Sequence, residues 1–210
     1  MSGKLSGKVA IVTGGGGGFG KGIAEIFLEA GAKVVIADFA EEVGQKTASE
    51  LKCEFHKCNV TSREDWESLL KFVDEKFGQL DCVVNNAGTT YRNKVMKAER
   101  TSRRECSSSQ RLQPTAEVTD ADYDKVFDVN VKSIYYSTNT LVPYMQKKGK
   151  GGSFVTIAST AGIRPRPGLV WYNASKAAVI NATKALAVEY AKDNIRFNSV
   201  CPVVGLATGL

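Results

Sequence analysis

The chain has 210 residues, 43% of them hydrophobic and 24% charged, which suits one soluble globular domain with a real core. No apolar run approaches a membrane span, and Met1–Lys8 has no apolar signal core, so the expected setting is cytoplasmic, with no membrane partner. The net charge of +6 is local: seven basic residues against Glu99 and Glu105 between Tyr91 and Gln113 supply +5 of it, without interleaved aromatics. A solvated loop explains that stretch better than a nucleic-acid patch, so no nucleic-acid partner is expected.

In chain order, Lys8–Thr13 is a buried-strand run, followed by a glycine-rich turn and a helix from about Phe19 to Ala30. Gly31 ends that helix. Lys33–Ala37 is the second strand, Ala40–Leu51 a helix, Cys53–Lys57 a third strand, and Ser62–Phe77 a helix with Ser62 as N-cap. Leu80–Val84 is a fourth strand. Thr119 to about Lys147 reads as one long helix opened by a capping box with aspartate in place of glutamate. Ser153–Ile157, Trp171–Lys192 and Ile195–Val200 follow as strand, helix and strand. Alternation of short apolar and longer amphipathic runs predicts one doubly wound α/β domain with a mostly parallel sheet.

Three features carry chemistry. The turn Thr13-Gly14-Gly15-Gly16-Gly17-Gly18-Phe19-Gly20 joins a strand to a helix, where a backbone can approach a pyrophosphate beside a helix N-terminus. Asp38 closes the second strand, eighteen residues after Gly20, placed to accept hydrogen bonds from a ribose 2′-hydroxyl and to repel a 2′-phosphate. No basic residue stands at Gly17 or Phe39, which favours NAD over NADP; the alternative is that Asp38 only caps the next helix. Tyr172 and Lys176 are four residues apart, and Ser159 lies thirteen residues before the tyrosine. On a helix such a pair stacks on one face. An ammonium about 4–5 Å from a phenol at an effective dielectric of ~20 supplies roughly 3–4 kcal/mol toward the phenolate, bringing a group that ordinarily titrates near ~10 toward ~7, where acid–base catalysis works best.

In combination, Thr13-Gly14 with Gly18 and Gly20, Asn85-Asn86-Ala87-Gly88, Asn130, Ser159 and Tyr172-x-x-x-Lys176 resemble the short-chain dehydrogenase/reductase family. The branch it resembles contains 3-oxoacyl-acyl-carrier-protein reductases and glucose or polyol dehydrogenases. The resemblance implies a Rossmann-like fold and an NAD(P)-dependent interconversion of a secondary alcohol and a ketone. It implies that Tyr172 exchanges the proton at the substrate oxygen, that Lys176 lowers the tyrosine pKa and holds the nicotinamide ribose, and that Ser159 holds the substrate oxygen. Asn130 would support a water in the proton relay. Gly14, Gly18, Phe19, Gly20 and Asp38 would bind the dinucleotide, with Asn59 and Val60 beside the adenine. Asn86, Ala87 and Gly88 would line the adenosine-ribose side, and Pro202 and Val203 belong to the loop after the sixth strand. A small-molecule alcohol or ketone is the expected partner, in a homodimer or homotetramer of the full-length parent. Each residue also has a structural alternative: Ser159 as a turn cap, Asn130 as a helix residue, Asn59 as a backbone brace. The alternative for the whole chain is a catalytically inactive dinucleotide-binding or interaction protein.

Two stretches depart from the family. Removing Val95–Gln113, nineteen Ser/Arg-rich residues, restores the family's spacing from Gly88 to Asn130 and joins Asn93-Lys94 to Pro114. Valine codons begin with GT, glutamine can be CAG, and nineteen codons keep the frame, so the segment is read as a disordered insertion, a translated short intron, with a genuine basic loop that binds a partner as the competing reading. At the other end, Val203 replaces the usual glycine, Thr208 falls one place late, and the chain stops at Leu210. The family continues for roughly forty residues with lid, last strand and part of the oligomer interface, so a truncated chain lacking them is expected. The single histidine, His56 between Cys53 and Cys58, offers neither a metal site nor a Ser-His-Asp triad; reduced thiols and no metal are expected.

Overall fold

The computed structural model describes residues 3–91 and 114–203. Six strands form one parallel sheet: β1 (Val9–Thr13), β2 (Lys33–Asp38), β3 (Glu54–Lys57), β4 (Cys82–Asn85), β5 (Gly152–Ile157) and β6 (Ile195–Val200). Their spatial order is β3-β2-β1-β4-β5-β6, so the chain reverses direction across the sheet between β1 and β4. In sheets of this kind ligands bind in the crevice beyond the carboxyl ends of the strands at that switch point.

The connecting helices are α1 (Gly18–Glu29), α2 (Glu41–Leu51), α3 (Arg63–Phe77), α4 (Asp120–Phe127), α5 (Ser133–Lys148) and α6 (Val170–Glu189). Central strands alternate between two cores because both of their faces are buried. Val9, Ile11, Val35, Ala37 and Val83 pack with Trp66, Leu69 and Val73 of α3 and with Leu141, Val142 and Met145 of α5. Val12, Val34, Ile36 and Val84 turn the other way, onto Ala24 of α1 and Ala48 of α2. At the edge, β6 alternates buried Ile195 and Phe197 with exposed Arg196 and Asn198, and Phe197 stacks on Phe154 at 4.6 Å. Gly44 lets α2 lie flat on β3, since a Cβ there would stand 2.3 Å from the Phe55 ring.

Strand and helix identities agree with the sequence reading, with small shifts at the ends: β4 runs Cys82–Asn85 rather than Leu80–Val84, and β3 begins at Glu54. Ser62 caps α3, accepting from the Asp65 N–H at 3.1 Å, and Thr119 caps α4 in the same way through Asp122. The expected single helix from Thr119 to Lys147 is instead α4 and α5 joined by a π-turn, Asp128–Lys132, with Asn130 at its centre and buried. Such wide turns recur at functional sites, and hydrophobic periodicity does not reveal them. The last helix stops at Glu189, before the expected Lys192, because the chain tightens into a 3₁₀ turn and Asn194 turns left-handed to enter β6. Val95–Gln113 and Thr208 lie outside the described residues.

Candidate active site

The turn after β1 is held by a clamp that faces the β1–β4 crevice. Thr13 is buried, and its hydroxyl accepts the N–H groups of Asn86 and Ala87, each at 3.0 Å, while donating to the Val84 carbonyl at 3.3 Å. The Asn86 side-chain amide donates to the carbonyls of Thr13 and Gly14 at 2.9 and 3.1 Å. Gly14 and Gly18 take the left-handed conformation, with φ of 61° and 51°. Gly20 sits where backbone meets backbone: a Cβ there would lie 2.1 Å from the Gly14 oxygen and 2.6 Å from Asn86 Nδ2.

Helix α1 begins at this turn with an open end. Its N-cap is Gly17, with no side-chain cap and no acidic residue in the first turn. A Cβ on Gly17 would meet nothing within 4 Å. The first N–H groups and the positive end of the helix dipole therefore point into open space, an arrangement that fits a pyrophosphate. Exposed Phe19 lies in the same first turn.

Asp38 ends β2 beside this turn. One carboxylate oxygen accepts the Gly16 N–H at 2.9 Å and the other the Ala40 N–H at 3.0 Å. The side chain thus braces the turn that leads into α2 without capping the helix, whose N-cap is Ala40, and it links directly to the glycine turn. A carboxylate has about four acceptor sites, so two bonds leave capacity for hydroxyl donors. Asn59 and Val60 follow β3. The Asn59 side chain accepts from the Thr61 N–H and hydroxyl at 3.0 and 2.9 Å, bracing its own turn, and Val60 is buried in the core.

The second group of residues meets at the carboxyl ends of β4 and β5. Asn130, 3% exposed, accepts from the Thr89 N–H at 2.8 Å and donates to the Thr89 carbonyl at 2.9 Å and to the Ser175 hydroxyl at 3.0 Å. Ser175 in turn donates to the Tyr172 carbonyl at 2.7 Å. Gly88 fits between Asn130 and Lys176: a Cβ there would lie 3.3 Å from both Asn130 Oδ1 and Lys176 Nζ. The Asn130 side chain is therefore a brace that joins the β4 loop, the π-turn and α6.

Lys176 is 6% exposed, and its Nζ donates to the Ile157 carbonyl at 2.9 Å. The ammonium lies over the Tyr172 ring, 5.9 Å from its centroid. Burial pulls the Lys176 pKa down to about 8, with Cys201 acting weakly in the opposite sense. Sequence spacing predicted the stacking on one helix face; the Ile157 carbonyl as anchor was not visible in it. Ser159, 8% exposed, caps a 3₁₀ turn (Thr160–Gly162) by accepting the Ala161 N–H at 3.1 Å, which leaves its own O–H to donate. Pro202 stands against this turn, its carbonyl accepting from the Thr160 N–H at 3.0 Å, and Val203 beyond it is exposed.

Thr13, Thr89, Ser175 and Tyr91 complete the arrangement and were not singled out as site residues from the sequence. Buried Tyr91 accepts the Trp171 N–H at 3.2 Å and so fixes the start of α6. A hollow of about 480 Å³ walled by Ala161, Pro165, Val170, Asn173 and Ala177 opens nearby. Its α6 residues follow one helical face and Tyr172 and Lys176 another, so it is not where the two would act on a substrate. Among the described residues no group of three or more His, Cys, Asp and Glu is placed to hold a metal. Cys53, Cys58, Cys82 and Cys201 are free thiols, and burial pushes Cys58 up to about 12. His56 pairs with the Ser68 hydroxyl at 3.2 Å, and burial lowers its pKa. Among the described residues no helix is long and apolar enough to cross a membrane.

Sheet order, glycine turn, strand-end acid and the half-buried Tyr172 with buried Lys176 beside it define a doubly wound protein of the nicotinamide-dinucleotide-binding class. The model of the short chain dehydrogenase family matches residues 8–209. The 4-formylbenzenesulfonate dehydrogenase of Comamonas testosteroni is 40% identical over 206 residues, covering 96% of this chain and 74% of that protein. The 3-oxoacyl-acyl-carrier-protein reductase of Thermotoga maritima is 34% identical over 204 residues, covering 95% of this chain and 74% of its own. Among solved structures, a 3-ketoacyl-acyl-carrier-protein reductase from Brucella melitensis complexed with NADH superposes with a TM-score of 0.86 at 33% identity, covering 98% of this chain and 78% of that one. The chain belongs to the short-chain dehydrogenase/reductase family of NAD(P)-dependent oxidoreductases and is similar to its 3-oxoacyl-acyl-carrier-protein reductase-like branch.

Proposed function

We propose that residues 1–210 form one dinucleotide-binding domain that interconverts a secondary alcohol and a ketone, with Tyr172 as general acid and base. The observation that carries this reading is the buried Lys176 ammonium held by the Ile157 carbonyl over the Tyr172 ring, next to the Ser159 turn. When bound, the nicotinamide dinucleotide supplies or accepts the hydride. Ser159 donates its hydroxyl hydrogen to the substrate oxygen and orients it. Tyr172 gives that oxygen a proton during reduction and takes it back during oxidation. Lys176 holds its charge against the Tyr172 ring and reaches the nicotinamide ribose. Asn130, bound to Thr89 and Ser175, keeps α6 in register with the β4 loop and supports a relay water.

The dinucleotide is held by Gly14, Gly18, Phe19 and Gly20 at the pyrophosphate, with Asp38 at the adenosine ribose. The Asn59–Val60 turn borders the adenine, Asn86, Ala87 and Gly88 line the groove, and Pro202 and Val203 lie on the nicotinamide side. The preferred cofactor in this reading is NAD. Three acidic residues cluster at the end of β2: Asp38, and Glu41 and Glu42 in the first turn of α2. Lys57, paired in register with Asp38 on the neighbouring strand, is engaged by Glu41 at 2.9 Å. The enzyme is assigned to the cytoplasm as a homodimer or homotetramer, working on a small alcohol or ketone.

Turnover followed at the nicotinamide absorbance with panels of ketones and alcohols tests the activity. Cofactor preference tests the ribose assignment separately. NADH is expected to bind at least about tenfold more tightly than NADPH, a difference of roughly 1.4 kcal/mol, and Asp38→Asn is expected to narrow that gap to under about threefold. Tryptophan fluorescence titrations read both. Equal affinities in the wild type would remove Asp38 from the ribose role.

A further inference from the structure

From Val129 to Val188 the chain contains no aspartate or glutamate, against eight lysines and arginines. This stretch supplies Asn130, Ser159, Tyr172 and Lys176. Lys132 and Lys148 are neutralised in ion pairs with Asp128 and Asp74 at 3.2 and 2.9 Å. Arg164 and Arg166 are not. Both are exposed, and among the described residues neither forms an ion pair.

The loop carrying the two arginines is fastened at one end to the Ser159 turn and at the other to α6. The Arg164 N–H bonds to the Thr160 carbonyl at 2.7 Å, which keeps Arg164 one turn beyond Ser159. The Arg166 carbonyl accepts from the Asn173 side-chain amide at 2.8 Å, which ties Arg166 beside the residue that follows Tyr172. Pro165 and Pro167 separate and follow them; each fixes its own φ and restricts the backbone of the arginine before it, so the pair is presented on a stiff segment with little backbone freedom to lose on binding. Unpaired guanidiniums on a pre-ordered loop are strong recognisers of carboxylates and sulfonates, because the planar fork meets two oxygens at once. A neutral ketone makes no use of them.

We propose that the substrate is a carbonyl compound, or the corresponding alcohol, bearing a carboxylate or sulfonate, and that Arg164 and Arg166 bind that anionic group. Arg164 carries the larger share, because it is tied to the Ser159 turn, while Arg166 also borders the hollow on the other face of α6. This deepens the oxidoreductase reading and rests on it.

The test compares 4-acetylbenzoate with its methyl ester, and 4-formylbenzoate with its methyl ester, in the wild type and in Arg164→Gln, Arg166→Gln and the double variant. The kcat/KM ratio of acid to ester is expected to be at least tenfold in favour of the acid at low salt and to shrink as salt is raised. It is expected to fall at least tenfold in the double variant, through KM rather than kcat, with Arg164→Gln giving more of the loss. A ratio near one in the wild type, or one unmoved by the double substitution, overturns the proposal. NADH affinity is measured alongside: arginine variants that lose NADH binding while keeping the acid-to-ester ratio assign these cations to the cofactor and equally overturn it. If none of the four compounds turns over, titration of acid and ester against the NADH-loaded protein decides the anion question alone. Acid-selective binding lost in the double variant supports the anion site although the activity failed for these probes, and unselective binding refutes it.

Discussion

Tyr172→Phe is expected to lower kcat/KM roughly 10²–10⁴-fold while leaving NADH affinity within about twofold of the wild type. The substitution removes one oxygen and keeps the ring over which the Lys176 ammonium lies, 5.9 Å from the centroid. The helix bonds that seat the residue also survive, since the Ser175 hydroxyl bonds to the Tyr172 carbonyl rather than to its side chain. Packing, cofactor cradle and lysine therefore persist, and the change falls on proton transfer. Steady-state rates and NADH titrations on the same preparation check it. A variant retaining more than a tenth of wild-type activity would mean that Tyr172 is a packing residue and that the proton comes from elsewhere.

Lys176→Met is expected to abolish turnover and to change how stability depends on pH. In the folded protein burial lowers the Lys176 pKa to about 8, from 10.5 for an unburied lysine. The folded state thus disfavours the ammonium. As pH falls from 10.5 to 8 the unfolded chain binds a proton at this residue that the folded chain does not, and stability is lost; as pH rises over the same window it is regained. The amplitude is roughly 3 kcal/mol. Removing the amine also leaves the Ile157 carbonyl without its donor, but that cost is nearly independent of pH. The stability difference, variant minus wild type, should therefore fall by about 3 kcal/mol between pH 7.5 and 10.5. Other lysines and tyrosines are common to both proteins and cancel. Urea unfolding at the two pH values reads the difference. A difference that stays flat would mean that Lys176 reaches solvent and does not carry the strained charge described for it.

Much of this arrangement could be read from residue types and spacing, because side-chain pattern encodes both the strands and the Tyr–Lys pair. Val9, Ile11 and Val83 against Val12, Val34 and Val84 show why: a strand buried on both faces reads as a continuous apolar run, and six such runs separated by amphipathic stretches admit few topologies. The Gly14–Gly20 turn was legible for a similar reason, since left-handed backbone and a close approach of chains demand glycine. The missing parts depend on main-chain partners, which residue identity does not specify. Thr13 reads as the end of a strand, yet its hydroxyl gathers two N–H groups from the β4 loop. Ser175 lay in plain view between Tyr172 and Lys176, three places after the tyrosine, and only the fold shows that it meets Asn130. The π-turn at Asp128–Lys132 keeps the apolar periodicity of an ordinary helix. Asp38 was read as a choice between ribose ligand and helix cap, whereas its two oxygens accept from Gly16 and Ala40, brace the turn before α2 without capping it, and retain acceptor capacity.

The most direct test of the central claim is transfer of deuterium from C4-deuterated NADH, both C4 positions labelled, to a ketone from the turnover panel. The account predicts an alcohol carrying one deuterium on the carbinol carbon, formed by the wild type and at least about a hundredfold more slowly by Tyr172→Phe, with NADH bound by both. NADH binding without any deuterated alcohol from the wild type, across the whole panel and with the reverse reaction equally silent, would contradict it and leave a protein that binds the dinucleotide but does no redox chemistry.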